Sequence, residues 1–455
     1  MSCNWPNVAL GKYCSKIGSG ATPKGGNSVY LDSGEITLIR SQNIYNEGFK
    51  SDGLVYITPE AAQKLKNVII EPNDVLINIT GDSVARVCLA PKEHLPARVN
   101  QHVAIIRVDP KEFDHRYLRY YLTSLKMQSY LLTIASSGAT RNALTKSMLE
   151  SLEVSKPPLD IQKKIGDVLE QFENKIQLNT QTNQTLEEMA QAIFKSWFVD
   201  FDPVKAKMNG EQPEGMDAVT ASLFPDKLVD TEVGELPEGW SLVAVGELLD
   251  KTIGGDWGKE EPDEKHTEEV RIVRGTDIPK LHGGAIESVP VRYVESKKLK
   301  TRKLERGDIV IEVSGGSKDQ PTGRSLFISD NILKRLELPS EPASFCRRFN
   351  PKSYEIGLLL AVHFQLMYQA GKTWEYQNQS TGISNFQTKY FLEAEHIVIP
   401  SDDVLDAFVK QVSPMMDMIH SNQNIELAKL RDTLLPKLLS GEIELGETEE
   451  MAEVN

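Results

Sequence analysis

The sequence EPNDVLINITGDS at residues 71–83 returns in related form as ERGDIVIEVSGGS at residues 305–317, 234 residues later. Both copies begin with Glu, place an Asp three residues on, continue with alternating apolar residues and end in Gly and Ser. Apolar residues with a period of two predict a β-strand, and the glycines after them predict a turn. A strand and loop used twice, half a chain apart, indicates an internally repeated fold.

Segments on either side of this stretch are repeated as well. IRSQNI (39–44) corresponds to VRGTDI (273–278), and SSGATRNALTKSMLESLEVSKPP (136–158) corresponds to STGISNFQTKYFLEAEHIVIP (380–400). Each copy combines strand-like alternation with a helical stretch, YLRYYLTSLKMQSYLLTIA in the first and YEIGLLLAVHFQLMYQAG in the second. The pattern predicts two α+β domains of the same architecture.

A heptad pattern follows each copy. Apolar residues separated alternately by four and three positions predict two long helices. The seam residues are Ile165, Leu169, Phe172, Ile176, Asn179, Asn183, Leu186, Ile193 and Trp197 in the first segment, and Phe408, Val412, Met415, Ile419 and Asn422 in the second. Two seams in one chain most simply pack together. They are antiparallel if the repeats are related by a twofold axis rather than by a translation, and their Asn residues either fix the register or face solvent.

The predicted fold class is therefore α+β, with two similar domains separated by two long antiparallel helices that form a coiled coil, and with a pseudo-twofold internal repeat. From Ile161 to Phe198 the first helix would measure roughly 57 Å at ~1.5 Å per residue. The predicted boundaries are a first domain at residues 1–158, a first helix at 159–200, a linker at 201–238, a second domain at 239–400, a second helix at 401–440 and an acidic tail at 441–455.

The charge of the chain is unevenly distributed. The formal net charge is −14, but residues 1–150 carry a net +4 and residues 235–400 a net −3, which leaves −15 for the remaining segments. The overall acidity therefore does not exclude a polyanionic partner for either domain. The N-terminal sequence MSCNWPNVAL has no signal-peptide pattern, and no apolar run reaches the ~20 residues of a membrane helix, so we expect a cytoplasmic protein.

Motifs of catalysis are missing from the sequence. There is no GxxxxGK[ST] phosphate loop, and the eight histidines form no HxH or HExxH pattern. IGSGATP (17–23) begins like a dinucleotide-binding loop, but Pro23 replaces its last Gly. We predict no catalytic residue, no metal site and no cofactor in this chain.

The loops of the repeated domains are instead rich in side chains that read nucleic acids. Arg can bind guanine with two hydrogen bonds, Asn and Gln can bind adenine, and Ser, Thr and Lys contact phosphates. The candidate DNA-binding residues are Thr22, Lys24, Arg40, Gln42, Asn43, Ser83, Arg86, Asn100, Gln101, Arg141 and Asn142 in the first domain, and Trp257, Lys259, Arg274, Thr276, Ser314, Ser317, Lys318, Gln320, Arg324, Ser384 and Asn385 in the second. By contrast, Asp74 and Asp308 are interpreted as turn residues. The framework repeats while these loop residues differ, as expected of two domains that read different sequences.

Taken together, these motifs resemble the specificity (S) subunits of type I restriction–modification enzymes. The resemblance rests on IGSGATPK, IRSQNI, EPNDVLINITGDS, VNQHVAIIRV and the segment from SSGATRNALTKSMLESLEV to QTLEEMAQAIFKSWFVDFDPVKAKMNG, in this order and with the duplication. The second copy departs from the first at GGDWGKEEPDEK (254–265).

The resemblance implies two target-recognition domains, each reading one half of a bipartite asymmetric DNA site. The helices would set the gap and dock two methyltransferase (M) subunits that carry S-adenosylmethionine, and restriction (R) subunits that use ATP and Mg would join them. The alternatives are a related system whose partner fuses methyltransferase and nuclease, and, in a different class, a self-contained DNA methyltransferase or nuclease. A coiled-coil scaffold without a DNA role is a further competing class.

Overall fold

The computed structural model describes residues 5–23, 25, 29–137, 142–232, 234–317, 319–380, 383–421, 423–443 and 445. Its contacts divide the chain into two compact units. Unit 1 is built from the residues up to Lys175 and those from Leu427 onward, and unit 2 from Ile176–Glu426.

The first half of the chain forms a strand-rich domain and then a long helix. Its strands are β1 (Asn7–Ala9), β2 (Cys14–Ser19), β3 (Ile36–Ile39), β4 (Ile44–Tyr45), β5 (Gly48–Phe49), β6 (Val55–Ile57), β7 (Val75–Asn78), β8 (Val87–Leu89), β9 (Ala97–Val99), β10 (Val103–Val108) and β11 (Glu153–Ser155). Its helices are α1 (Pro59–Lys64), α2 (His115–Thr123), α3 (Leu125–Ser136), α4 (Lys146–Glu150) and α5 (Leu159–Phe198).

The second half repeats this arrangement after two short helices and a hairpin. Its strands are β12 (Leu228–Thr231), β13 (Gly234–Pro237), β14 (Ser241–Ala244), β15 (Leu249–Gly254), β16 (His266–Val273), β17 (Val291–Glu295), β18 (Ile309–Glu312), β19 (Ser314–Gly315), β20 (Ser325–Phe327), β21 (Ser340–Pro342), β22 (Cys346–Pro351), β23 (Gln377–Ser380), β24 (Ile383–Phe386) and β25 (His396–Ile399). Its helices are α6 (Asp202–Met208), α7 (Ala218–Leu223), α8 (Ile278–His282), α9 (Ser296–Arg302), α10 (Asp330–Leu336), α11 (Tyr354–Gln369), α12 (Thr388–Ala394), α13 (Asp402–Ile419) and α14 (Gln423–Ser440).

Sheet topology confirms the internal repeat. The four-stranded sheet has the order β2-β10-β7-β8 in unit 1 and β15-β22-β18-β20 in unit 2, with all neighbours antiparallel. A three-stranded sheet with one parallel pair also occurs twice, as β6-β3-β9 and as β17-β16-β21. Each copy also contains a two-stranded sheet that pairs its first strand with its last strand, β1 with β11 or β14 with β25. The predicted α+β repeat is therefore confirmed in these three sheets.

The stretch that repeats in the sequence forms the central strand of each copy. Val75 and Ile77 of β7 belong to one hydrophobic cluster, whereas Leu76 between them belongs to another on the opposite face. In β18, Ile309 and Ile311 likewise separate from Val310. Because side chains alternate across a strand, a continuous apolar run is buried on both faces of the sheet.

Two glycines of the repeated framework allow backbone segments to come close together, and one of them, Gly20, lies in the loop that resembles a dinucleotide-binding motif. A Cβ on Gly20, which follows β2, would lie 1.7 Å from the carbonyl oxygen of Val99. A Cβ on Gly255, which follows β15, would lie 2.0 Å from the carbonyl oxygen of Pro342. Glycine is required at both places because two backbone segments approach closely.

The start of α5 packs within unit 1 against the end of α14. Ile165 and Leu169 are fully buried and share a hydrophobic cluster with Leu438 and Leu439. Toward the middle of α5, Glu173 Oε1 lies 4.0 Å from Nη1 of Arg431. Residue numbers rise along one helix as they fall along the other, so the two helices are antiparallel in this unit.

The other half of α5 is antiparallel to α13 and the start of α14 within unit 2. Thr180 accepts a hydrogen bond from Asn424 (3.1 Å), and the Asn179 amide lies 3.5 Å from the Gln423 side chain. The buried Trp197 lies beside Phe408, with ring centres 6.2 Å apart. The predicted antiparallel helix pairing is thus present in both units.

The seam residues differ in how deeply they are buried. Ile165, Leu169, Asn179, Trp197, Phe408, Val412 and Ile419 are buried, Phe172, Ile176, Asn183, Leu186, Ile193 and Met415 are half-buried, and Asn422 lies outside the described residues. Phe194 and Phe198, which the heptad pattern did not select, are buried as well. They are covered because this end of α5 enters the globular core of unit 2 rather than a two-helix seam.

The single second helix predicted over residues 401–440 is wrong. The structure divides this range into α13 and α14. His420 ends α13 and is fully buried, with Nδ1 2.9 Å from Ser329 Oγ and Nε2 3.2 Å from His282 Nδ1. These contacts fix the residue at which α13 ends, whereas Pro414 and Pro436 lie inside the helices without ending them.

The segment predicted as a linker at residues 201–238 is folded. It contains α6, α7 and the β12–β13 hairpin. Val204, Phe224 and Leu236 are buried in the core of unit 2 because their large apolar side chains complete the cluster around Trp197 and Trp240. Among the helices described, none is both long and apolar enough to cross a membrane.

Candidate nucleic-acid interface

Asp74 and Asp308, which lie three positions after the first Glu of each repeated stretch, are structural turn residues, as predicted. Asp74 is fully buried, accepts a hydrogen bond from the Glu71 backbone (2.7 Å) and binds Arg107 of the neighbouring strand (2.7 and 2.8 Å). Asp308 makes the same turn with Glu305 (2.6 Å) and also binds an arginine of the neighbouring strand. The two carboxylates therefore fix where the central strand begins.

In unit 1, Asn43 supports the β4–β5 hairpin that leaves this framework. Its Oδ1 accepts the backbone N–H of Arg40 (3.2 Å), and its Nδ2 donates to the carbonyl oxygens of Lys50 (2.9 Å) and Asp52 (3.1 Å). The side chain is completely buried. All these bonds stay within the protein, so the amide serves the hairpin rather than an external ligand.

Asn46, at the turn of the same hairpin, fixes it to the rest of unit 1. Its Oδ1 accepts the backbone N–H of Val87 (2.9 Å), and its Nδ2 donates to the Gln128 side chain (3.2 Å). The Asn46 carbonyl oxygen accepts a hydrogen bond from Arg119. The hairpin is thus tied both to β8 and to the helical layer, which holds its exposed side chains in place.

Tyr45 of this hairpin carries two cations. The Lys50 ammonium lies 4.3 Å from the centre of its ring and the Arg86 guanidinium carbon 4.7 Å from it. Both distances are within the range of cation–π attraction. We call Tyr45, Lys50 and Arg86 the Tyr45 cluster. Its basic and aromatic groups are suited to phosphates and bases.

Tyr45 and Lys50 are not among the residues predicted from the sequence. The segment YNEGFK contains an aromatic and a basic residue flanking a turn, which was the available signal. The contact of Arg86 with Tyr45 joins residues far apart in the sequence, and no local pattern reports it.

The other predicted residues of unit 1 differ in exposure. Thr22, Gln42 and Asn142 are exposed, Arg40, Ser83 and Gln101 are half-buried, Asn100 is buried, and Lys24 and Arg141 lie outside the described residues. Arg40 lies over the Tyr30 ring at 5.4 Å and donates to the carbonyl oxygen of Gly53. Asn100 accepts the backbone N–H of His102 (3.0 Å), which gives it a framework role like that of Asn43.

Unit 2 keeps the framework but changes the element that follows it. Where unit 1 has the β4–β5 hairpin after IRSQNI, unit 2 has the helix α8 after VRGTD. Here Arg274 binds the buried Asp277 with two bonds of 2.8 Å. Arg324 binds the buried Glu312 with bonds of 2.8 and 2.5 Å. Both predicted DNA-binding arginines are therefore held by carboxylates of their own unit.

The remaining predicted residues of unit 2 also differ in exposure. Trp257, Lys259, Thr276, Ser317, Gln320 and Asn385 are exposed, Ser314 is half-buried, Ser384 is buried, and Lys318 lies outside the described residues. The burial of Ser384 in β24 argues against direct contact with a ligand.

Trp257 forms a second basic–aromatic pair, in unit 2. Its ring, on a side chain that is 42% exposed, lies 5.3 Å from the Arg292 guanidinium. The preceding Asp256 accepts hydrogen bonds from Arg302 (2.8 Å) and Lys298 (3.2 Å), which anchors the loop to α9. Arg292 was not selected from the sequence, because it lies on β17, remote from GGDWGK.

Glu341, beneath this loop, is a buried carboxyl without a hydrogen-bond partner among the described residues. Burial raises its pKa to about 7. A carboxyl whose pKa is raised in the folded state stabilises the fold at low pH, and this stabilisation is lost as the pH rises toward 7. The backbone N–H of Asp256 donates to the adjacent Pro342 carbonyl oxygen (3.0 Å), so this strand also supports the Trp257 loop.

We expect Glu341→Gln to reduce the pH dependence of stability. Relative to the variant, the wild-type chain should lose on the order of 2–3 kcal/mol of unfolding free energy between about pH 4.5 and pH 8, because only the carboxyl ionises. Urea unfolding followed across this pH range measures the difference. Parallel pH curves for the two proteins would contradict a buried, neutral Glu341.

The sequence of this chain is similar to the sequences of known DNA specificity subunits. The sequence profile described as "Type I restriction modification DNA specificity domain" matches residues 4–188. The HindI type I restriction enzyme specificity subunit of Haemophilus influenzae is 28% identical over 372 residues, which cover 72% of this chain and 77% of that protein. The MjaIX specificity subunit of Methanocaldococcus jannaschii is 27% identical over 443 residues, which cover 96% and 93%.

A solved structure resembles the whole chain. The crystal structure of the S subunit of a type I restriction–modification system from M. genitalium aligns with a TM-score of 0.57 at 15% identity and covers 96% of each chain. At this level of identity the likeness supports the fold alone.

Proposed function

We propose that the chain is a specificity subunit of the type I restriction–modification family, to which its sequence is similar, and that it reads a bipartite, asymmetric DNA sequence, one half with each unit. The observation that carries this proposal is one strand framework bearing two different surface elements. After the shared turn, unit 1 presents a hairpin with the Tyr45 cluster, whereas unit 2 presents α8 and the Trp257 loop. Different surfaces on one framework suit half-sites of different sequence.

We propose that the DNA contacts come from the accessible side chains of these loops. They combine groups for phosphate contact, such as Lys50 and Lys259, with groups for base contact, such as Gln42, Gln320 and Asn385. The proposed set is Thr22, Arg40, Gln42, Tyr45, Lys50, Ser83, Arg86, Gln101 and Asn142 in unit 1, and Trp257, Lys259, Thr276, Arg292, Ser314, Ser317, Gln320 and Asn385 in unit 2.

The chemistry is proposed to lie in partner chains. Two methyltransferase subunits would bind S-adenosylmethionine and methylate the DNA, and restriction subunits would use ATP and Mg. The chain itself would be a non-catalytic, cytoplasmic subunit, with α5, α13 and α14 setting the gap between half-sites and docking the methyltransferases. Exposed apolar residues on these helices, among them Leu178, Met189 and Leu430, support a docking role. Methylation of DNA by the purified chain alone would contradict this division of labour.

A domain exchange tests the reading of half-sites. Replacement of residues 1–158 by the equivalent segment of a relative is expected to change one half of the target and leave the other half unchanged. The hybrid is co-expressed with the methyltransferase subunits, and methylated positions are mapped by genome sequencing. The reciprocal exchange of residues 239–400 is the matched control. A change of both halves in either hybrid would contradict independent readers.

A further inference from the structure

Arg86 and Arg324 occupy the same position in the two copies. The backbone N–H of Asn78, at the end of β7, donates to the carbonyl oxygen of Arg86 (2.9 Å). The backbone N–H of Glu312, at the end of β18, donates in the same way to Arg324 (2.9 Å). Each arginine immediately precedes the outer strand of its four-stranded sheet. Their environments can therefore be compared directly.

In unit 2 the arginine is fixed to the protein. The carboxylate of Glu312 binds Arg324 through both oxygens, and the two side chains are only 3% and 15% exposed. Gly275 leaves room for the carboxylate, since a Cβ there would lie 2.3 Å from Glu312 Oε1. Two donor groups of the guanidinium are committed to this bidentate pair, and separating it would leave a buried charge.

In unit 1 the equivalent residue is neutral. Asn78 is fully buried and donates to the Ser41 carbonyl oxygen (2.9 Å) and to Ser83 Oγ (3.1 Å). Its Oδ1 accepts no hydrogen bond from any described residue. Arg86 lies instead over Tyr45, and within the described parts of the chain no carboxylate forms an ion pair with it.

The same difference occurs at a second pair of positions. Arg274 binds the buried carboxylate of Asp277, whereas the equivalent Arg40 is followed by the amide of Asn43. Both copies use the residue three positions on to cap the turn. Twice, therefore, unit 2 has a buried acid where unit 1 has an amide.

We propose that the buried residue at the end of the central strand decides whether the following arginine contacts DNA. Asn78 leaves the Arg86 guanidinium available, stacked on Tyr45 beside Lys50, to bind a pair of hydrogen-bond acceptors on DNA. Glu312 withdraws Arg324 from the interface. Such acceptor pairs occur on guanine (O6 and N7) and on the phosphate group, and both fit the planar fork of arginine. This inference rests on the proposed DNA-reading function.

The test uses the full chain assembled with its methyltransferase subunits and a duplex that carries the target found by methylation mapping. Arg86→Gln is expected to weaken binding at least tenfold. If the acceptor pair belongs to a phosphate, the loss of affinity is the same for all sequences. The slope of log Kd against the logarithm of the salt concentration then decreases in magnitude by about one. If it belongs to guanine, discrimination at one position of one half-site is lost.

The matched variant is the double substitution Glu312→Gln with Arg324→Met, which removes the arginine of unit 2 without leaving a buried charge. Its affinity and salt dependence should remain within about twofold of the wild-type values, and its target sequence should be unchanged. The inference fails if this variant weakens binding as Arg86→Gln does, or if Arg86→Gln binds like wild type.

Two further measurements keep these outcomes separate. Thermal unfolding checks that the variants are folded, and Arg86→Lys replaces Arg86→Gln if the latter is not. The Lys variant keeps the charge but loses the fork. It should lose discrimination at one position if the acceptor pair belongs to guanine, or lose affinity with an unchanged salt dependence if the pair belongs to a phosphate. Wild-type affinity together with wild-type discrimination would contradict the inference. If the wild-type complex does not discriminate between DNA sequences, the proposed function itself is refuted. If the wild-type complex does discriminate but the Arg86 variant binds as the wild type does, only this inference is refuted.

Discussion

Replacement of Arg324 by Met is expected to lower the unfolding free energy of unit 2 by about 3–5 kcal/mol, since it leaves Glu312 as a buried charge without its partner. The carboxylate accepts both bonds of the guanidinium, at 2.8 and 2.5 Å, and is almost completely buried. Water cannot reach the two carboxylate oxygens of Glu312 unless the sheet opens. Urea unfolding followed by tryptophan fluorescence is the measurement, because Trp197, Trp240, Trp257 and Trp374 lie in unit 2 and only Trp5 lies in unit 1.

A second substitution separates lost charge pairing from lost packing. Adding Glu312→Gln to Arg324→Met should recover most of the stability, because a neutral amide already occupies the equivalent position as Asn78. Arg86→Met, at the equivalent position of unit 1, should cost less than about 1 kcal/mol, as expected away from buried charge pairs. A double variant as unstable as Arg324→Met would show that the ion pair is not the cause.

Replacement of Phe408 by Ala is expected to lower the unfolding free energy of unit 2 by about 3–5 kcal/mol, the range for removal of a buried Phe from a core. Phe408 is fully buried on α13, and its ring centre lies 5.1 Å from Phe198, 6.2 Å from Trp197 and 6.3 Å from Phe194. The substitution leaves a cavity in the cluster that joins α5 to the core of this unit. The same unfolding measurement in urea detects the loss.

Phe345→Ala provides the matched control. This Phe is 66% exposed in the same unit, so its truncation should change the unfolding free energy by less than about 1 kcal/mol. Equal losses for the two variants would mean that the aromatic cluster around Phe408 is not a principal source of stability.

Much of the fold could be predicted from the sequence. The alternation in EPNDVLINITGDS and ERGDIVIEVSGGS is a local property of a strand buried on both faces, and the offset between the copies exposed the repeat. The heptad pattern predicted α5 to within two residues at its C-terminal end. The turn roles of Asp74 and Asp308 followed from their place before a strand.

Other parts could not be predicted, because their causes are not local. The end of α13 depends on His420, whose ring lies within hydrogen-bond distance of Ser329 and His282 in other parts of the chain. Residues 201–238 were predicted to be a linker, yet Val204 and Phe224 fill the core of unit 2. A pattern along the chain does not report which side chains a distant core encloses.

The candidate interface shows this division most clearly. By itself the sequence determined that two copies of one framework carry different polar loops, and that Arg86 and Arg324 follow the central strand in each. Only the tertiary structure decided that Arg324 is bound to Glu312 while Arg86 lies over Tyr45. The reason is physical: the charge of an arginine is fixed by its chemistry, but its availability depends on whether folding places a buried carboxylate or a neutral amide within hydrogen-bond distance.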